Sequence, residues 1–117
     1  MEYVLFITVD PEAEHDEDPA DTSVLTIEEW VEEGIRSGIN LRGDRLRPAS
    51  EAKVVKVRGG EVIVSDGPFI ETKEWIAGYD LLSCSDLDEA IEYASRHPMS
   101  KAGRVEVRPV WPLEAGE

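Results

Sequence analysis

Two helix-start motifs decide where this chain can place its helices. Residues 26–29 (TIEE) and 86–89 (DLDE) each pair a Thr or Asp with a Glu three positions later, and such side chains satisfy the free backbone N–H groups of a helix N-terminus. Apolar side chains at helical spacing follow both motifs: Ile27, Trp30, Val31 and Ile35 in the first, and Leu87, Ala90, Ile91 and Ala94 in the second. Gly38 and His97-Pro98 are typical of helix ends, so two amphipathic helices are predicted.

Strand patterns occupy four segments around these helices. They are residues 3–9 (YVLFITV), 53–64 (KVVKVRGGEVIV), 75–84 (WIAGYDLLSC) and 104–110 (RVEVRPV). Gly59 and Gly60 suit the positive φ angles of a two-residue hairpin turn, so the second segment predicts a hairpin. The third is largely apolar and predicts a central strand. The fourth alternates, and Pro109 indicates an edge strand or a strand end. The stretch with Arg42, Arg45 and Arg47 is interpreted as a link.

The order of these segments predicts one α+β domain over residues 1–117. Strand, helix, hairpin, strand, helix and strand fit a ferredoxin-like βαββαβ plait with an extra β-hairpin, in which both helices cover one face of an antiparallel sheet. A chain of 117 residues has no second layer for the other face of the sheet. We therefore expect a homodimer that pairs the open faces of two sheets.

Charge and composition limit the partners. The 26 acidic and 12 basic residues give a net charge of -14, which disfavours binding to nucleic acid and to anionic membranes. No segment approaches the roughly 18 consecutive apolar residues of a membrane span, and the N-terminus lacks the basic region of a secretory signal. We expect a cytoplasmic protein. Cys84 is the one cysteine, and we expect it to be a small core residue rather than a nucleophile. Trp30 on the first helix is expected in the core or at a dimer contact rather than as a platform for a cofactor.

An acidic loop is predicted for residues 10–23 (DPEAEHDEDPADTS), which contain seven carboxylates and two prolines. Their spacing does not match a calcium-binding EF-hand loop, and two histidines with one cysteine argue against a zinc site. No P-loop or dinucleotide-binding glycine motif is present. The sequence therefore predicts neither a metal nor a cofactor.

Several short motifs resemble the DGPF branch of the YCII-related family. They follow the family's order from Tyr3 to Trp111: DGPF (66–69), ETKE (71–74), GY (78–79), DLDEA (86–90) and VEVRPV (105–110). The resemblance implies a dimeric α/β-barrel. It also implies that members often accompany extracytoplasmic-function sigma factors, and that the broader group includes acid/base enzymes with a His–Asp pair. Elimination of chloride from chlorinated phenolics is one chemistry attached to that group.

The chain departs from the wider family at the expected acid/base pair. Residues 26–38 contain no histidine, and Trp30 lies near the place where one is expected. His97-Pro98 stands where the wider group often has Asp-Pro. The His–Asp pair therefore cannot be assigned residue by residue.

Candidate site residues come from the DGPF loop and its neighbours. Asp66, His97 and Tyr79 are the candidates for catalysis, because a carboxylate, an imidazole and a phenol can each transfer or hold a proton. Structural alternatives stay open: an Asx turn for Asp66, the helix C-terminus for His97, and the core for Tyr79. Candidates for ligand binding are Glu71, Lys73 and Arg108.

Two functions are compatible with these observations. The first is a dimeric protein that binds a small molecule in a cleft near the DGPF loop, with acid/base, lyase-like chemistry on it. The second is a non-catalytic oligomeric accessory protein of a sigma-factor or stress-response regulator, in which the DGPF residues shape the fold and the interface.

Overall fold

The computed structural model describes residues 1–9, 24–67 and 75–113. The elements, in chain order, are β1 (Glu2–Val9), α1 (Ile27–Ser37), β2 (Asn40–Arg45), a 3-10 turn (Ala49–Glu51), β3 (Lys53–Arg58), β4 (Glu61–Asp66), β5 (Trp75–Ser83), α2 (Leu87–Ser95), α3 (Met99–Ala102) and β6 (Arg104–Pro109). The acidic loop predicted for residues 10–23 lies outside the described residues.

The main sheet has four antiparallel strands in the order β2-β5-β1-β6. Without the hairpin, this is the strand order of a ferredoxin-like βαββαβ plait, which confirms the predicted α+β class. Strand β5 is central, as predicted, since it pairs with both β1 and β2. Strand β6 is an edge strand, in keeping with Pro109.

The interpretation of the stretch after Gly38 as a link is wrong for residues 40–45. This segment (NLRGDR) forms β2, an edge strand in which Asn40 alone is buried. The pattern was missed because an exposed edge strand does not need alternating apolar residues. The register shifts between Asn40 and Arg42, so that Leu41 is the additional residue of a β-bulge.

The helix-start motifs form the predicted caps. Thr26 Oγ1 accepts a hydrogen bond from the Glu29 N–H, and Glu29 Oε1 accepts one from the Thr26 N–H, both at 3.2 Å. Asp86 Oδ1 accepts from the Glu89 N–H at 2.8 Å. Gly38 ends α1 with a φ of 79°, in the left-handed region. The helices therefore begin where the sequence predicts.

The core lies between the helices and one face of the sheet. Its largest fully buried side chains are Trp30, Tyr3, Tyr93, Leu5 and Leu82. Cys84 is buried in the same cluster, which confirms its prediction as a core residue. Trp30 is likewise part of the core, as one of its two predicted locations.

The opposite face of the sheet has no described element packed over it. Val4 and Phe6 of β1 and Tyr79 and Leu81 of β5 lie on it as directly opposed pairs, and all four are half-buried. Charged side chains from β2 and β6 surround them: Arg42, Asp44, Arg104, Glu106 and Arg108. This surface is called the open face below.

Strands β3 and β4 form a separate two-stranded ribbon. Gly59 and Gly60 make its turn with φ angles of 58° and 78°, so the predicted hairpin is confirmed. In the described part of the chain, no helix is both long enough and apolar enough to cross a membrane.

Candidate functional site

A buried polar cluster lies between the helices and the sheet. The Asn40 Nδ2 group is 3.2 Å from Asp80 Oδ1 and 3.3 Å from Tyr93 Oη, and it donates to both. Asn40 begins β2, Asp80 lies in the middle of β5 opposite Leu5, and Tyr93 projects from α2. The three side chains thus join two strands and one helix inside the core.

Trp30 and Tyr93 connect this cluster to the first helix. Their rings stack with centroids 4.1 Å apart and an interplanar angle of 15°. The Tyr93 hydroxyl donates to the Trp30 carbonyl, and the Trp30 indole N–H donates to the Tyr93 carbonyl, each at 2.8 Å. Both polar tips are satisfied, as buried Trp and Tyr side chains require.

Two glycines let the backbone approach the cluster closely. A Cβ at Gly34 on α1 would lie 1.9 Å from Tyr93 Oη, and a Cβ at Gly43 on β2 would lie 2.0 Å from Asp80 Oδ1. Any larger residue would displace the hydroxyl or the carboxyl group. These positions therefore set the space available to Tyr93 and Asp80.

Asp80 is the group in this cluster whose pKa lies nearest to neutral pH. Burial raises the pKa of its carboxyl group to about 6, while the Asn40 hydrogen bond lowers it and the nearby Asp44 charge raises it. Burial likewise raises the pKa of the Tyr93 hydroxyl to about 12. Asp80 can hold or release a proton in the physiological range, whereas Tyr93 remains a hydrogen-bond donor.

His97 lies in the core, on the helix side of the sheet. Its ring meets Trp30 edge-on with centroids 4.5 Å apart, and its Nδ1 accepts a hydrogen bond from the Met99 N–H at 2.9 Å. Burial lowers the pKa of the imidazole to about 4, so the ring is neutral at physiological pH. Within the described structure its contacts are structural ones: it closes the turn between α2 and α3.

Asp66 lies at the end of β4, where the hairpin leads into the DGPF loop. Its side chain is 85% exposed, and Oδ1 is 2.5 Å from Lys53 Nζ. The Gly67 N–H donates to the Ala52 carbonyl at 2.9 Å and closes the base of the hairpin. The carboxylate is thus ion-paired on the surface rather than enclosed in a pocket.

Tyr79 and Arg108 share the open face. Phe6 pairs with Tyr79 across β1 and β5, and the Arg108 guanidinium carbon lies 5.2 Å from the centre of the Phe6 ring. Arg108 also forms an ion pair with Glu106. The other two ligand-binding candidates, Glu71 and Lys73, lie outside the described residues.

The three catalytic candidates lie in different places. Tyr79 is on the open face, His97 is on the opposite side of the sheet, and Asp66 is at the base of the hairpin. The Asn40–Asp80–Tyr93 cluster was not predicted, although one signal was available: Asp80 interrupts the apolar segment WIAGYDLLSC. A charge inside a central strand indicates a buried carboxyl group that needs a partner.

No three His, Cys, Asp or Glu side chains are placed to hold a metal ion among residues 1–9, 24–67 and 75–113. The buried carboxyl group of Asp80 has an amide and a hydroxyl group as its neighbours. This arrangement suits proton holding rather than metal binding.

Comparison with known proteins gives a relative and a family. The chain is 41% identical over 75 residues to an uncharacterized protein of Rhizobium meliloti (strain 1021), an alignment that includes 62% of this chain. The chain spans about 60% of the length of that relative. The model of the YCII-related domain matches residues 1–114. The chain therefore belongs to the YCII-related family.

Proposed function

We propose that this protein is a homodimer that binds a small anionic molecule in a cleft beside the open face, near the DGPF loop, and carries out acid/base, lyase-like chemistry on it. The observation that carries the proposal is the pairing of Arg108 with Phe6 next to Tyr79 on the uncovered side of the sheet. A cation, an aromatic ring and a phenol on one surface suit a ligand with an apolar body and a carboxylate or phosphate group.

The open face supports self-association because its centre is apolar and its margin is charged. Val4, Phe6, Tyr79 and Leu81 form the centre. Pairing two such faces would bury these side chains and leave the charged margin at the rim, as in ordinary protein interfaces. A second copy would also supply the missing wall of the cleft.

Arg108 is the ligand-binding residue on which this proposal depends most. Its guanidinium group is planar and presents N–H donors in a fork that matches carboxylate and phosphate oxygens. Glu106 now occupies part of that fork, and an anionic ligand would replace it. Stacking on Phe6 holds the fork on the open face.

Proton transfer in this proposal is assigned to Asp66 and Tyr79, which are at the loop and on the open face. His97 is given a structural role, because it packs against Trp30 and accepts the Met99 N–H. The acid/base step requires Asp66 to reach Tyr79 of the same or the other subunit.

A second candidate is a non-catalytic oligomeric accessory protein of a sigma-factor or stress-response regulator. The exposed ion pair between Asp66 and Lys53 favours it, since the carboxylate is held at the surface by a lysine and is not enclosed in a pocket. In that case the open face serves assembly alone.

A thermal-shift screen with small carboxylates and phosphates tests the first candidate, because a ligand that binds the folded state raises the melting temperature. Arg108→Gln and Tyr79→Phe should reduce the shift. Arg47→Gln removes an arginine whose side chain is 83% exposed and paired with Glu51, and it should leave the shift unchanged. If no panel member shifts the wild type, or if all variants respond equally, the accessory function is favoured.

A further inference from the structure

We propose that one face of the β3–β4 hairpin is a contact surface between two copies of this chain. Four valines lie on this face, here called the valine face: Val55, Val57, Val62 and Val64. Val55 is opposite Val64, and Val57 is opposite Val62, so all four point to one side of the ribbon. Each is between 57% and 64% exposed.

The ribbon needs a cover. In the described part of the chain, β3 and β4 pair only with each other, and an isolated two-stranded hairpin is at best marginally stable in water. Contiguous apolar side chains on exposed strands also promote uncontrolled association unless a specific partner covers them. The valine face is thus a surface that a defined partner should occupy.

Charge identifies a second copy as that partner. Lys53 and Asp66 lie opposite each other at one end of the valine face and form an ion pair. The face therefore has no net charge, whereas the chain carries -14. A basic partner would gain nothing from such a surface, but two copies can approach there with little mutual repulsion.

A two-fold axis parallel to the strands makes the face self-complementary. Rotation by 180° about such an axis places Lys53 over the partner's Asp66, and Asp66 over the partner's Lys53. It also places the β3 valines over the β4 valines of the other copy. The same patch thus meets itself, as in an isologous interface.

The valine face is too small to hold two copies together by itself. Six residues at about 3.4 Å each in two strands about 4.8 Å apart give a face of roughly 200 Å², compared with roughly 800 Å² per partner in a stable interface. The hairpin contact therefore strengthens an association held by a further surface. In this respect the inference rests on the proposed pairing through the open face.

Sedimentation over a range of concentrations tests the contact. V55T/V57T/V62T/V64T keeps side-chain shape and β-propensity but places hydroxyl groups in the interface. We expect the dissociation constant for self-association to rise at least tenfold. V54T/I63T changes the opposite face of the ribbon and should leave the constant within about twofold.

Charge exchange tests the orientation. Lys53→Asp gives the end of the face two carboxylates, and Asp66→Lys gives it two ammonium groups. Each variant alone should associate more weakly than the wild type, and an equimolar mixture should associate more strongly than either. A mixture no stronger than the separate variants would overturn the proposed axis.

The outcomes separate this inference from the proposed dimer. If the fourfold threonine variant associates like the wild type, the hairpin contact is overturned and the open-face dimer stands. If that variant dissociates while Leu81→Lys on the open face does not, open-face pairing is overturned, and the further surface that supplements the hairpin contact lies elsewhere on the chain. A wild type with the 13.0 kDa mass of one chain at micromolar concentration would overturn both.

Discussion

Trp30 and Tyr93 exchange hydrogen bonds: the side chain of each donates to the backbone carbonyl of the other at 2.8 Å. The stacked rings and these two bonds fix α1 against α2. Residues 26–38 contain no histidine, and Trp30 lies near the place where the family resemblance led us to expect one. In this chain the position holds the helix pair together, because the Trp30 ring is enclosed in the core.

Tyr93→Phe should destabilise the fold by about 1–2 kcal/mol, because the Trp30 carbonyl loses a donor and Asn40 loses one acceptor in a buried site. Urea unfolding at pH 7 measures the change. Tyr79→Phe, on the open face, is the matched control and should cost less than about 0.5 kcal/mol. Equal effects of the two substitutions would show that the hydrogen bonds of the Tyr93 hydroxyl add no stability.

Asp80→Asn should stabilise the protein at pH 8 and change little near pH 4. The folded-state pKa of about 6 is above the ordinary value of 3.8, so the wild type loses stability as pH rises through about 6. The shift corresponds to about 3 kcal/mol. Urea unfolding from pH 4 to pH 8 measures this, with Asp88→Asn on α2 as the control for loss of an exposed carboxylate.

His97→Asn should have the opposite pH signature. The folded-state pKa of about 4 is below the ordinary value of 6.5, so the wild type loses up to about 3 kcal/mol as pH falls from 6.5 to 4. The asparagine carbonyl can still accept the Met99 N–H, but it does not titrate. The variant should therefore lose less stability on acidification, even if its stability at pH 7 is lower.

These two titrations oppose each other in the wild type. Between pH 4 and 6.5, acidification neutralises the buried carboxylate of Asp80, which favours the folded state. Over the same range His97 gains a proton in the unfolded chain but stays neutral in the folded one, which favours unfolding. We expect their effects on the free energy of unfolding to offset each other in the wild type. The pH dependence should therefore be larger in each single variant, where only one of the two groups titrates, than in the wild type. A double variant whose effect differs from the sum of the single effects would show that Asp80 and His97 are coupled.

Gly34→Ala should destabilise the protein by about 1–3 kcal/mol, although alanine has a higher helix propensity than glycine. The added methyl group would meet Tyr93 Oη at 1.9 Å and Asn40 Cβ at 2.8 Å. Thermal or urea unfolding measures the loss. Glu32→Ala, at a position on the same helix whose side chain is 76% exposed, should stay within about 0.5 kcal/mol of the wild type.

Leu81→Lys should weaken self-association if the open faces pair, because it places a charge at the apolar centre of the interface. Leu87→Lys makes the same change at an exposed position on α2, where the leucine is 44% exposed, and should not alter the measured mass. Sedimentation gives the mass, and circular dichroism checks that both variants are folded. Identical masses for both variants and the wild type would contradict open-face pairing.

Sequence patterns predicted the parts of the fold in which local chemistry decides the structure. The caps at Thr26 and Asp86, the Gly59–Gly60 turn and the alternation in β6 each depend on neighbouring residues. Strand β2 was not predicted because pairing with β5, rather than its own polar sequence, holds it in the sheet. Asp80 was not predicted as a site residue because its partners Asn40 and Tyr93 are distant in sequence and meet it only after folding.

The bulge in β2 has a consequence for how this protein can vary. Leu41 is outside the regular pairing, while Asn40 and Gly43 keep their places opposite Leu82 and Asp80. The edge strand can therefore change in length at this point without shifting the residues on either side of the bulge. Losing or gaining a residue there should alter the outline of the molecule while the partners of the buried carboxyl group stay in register.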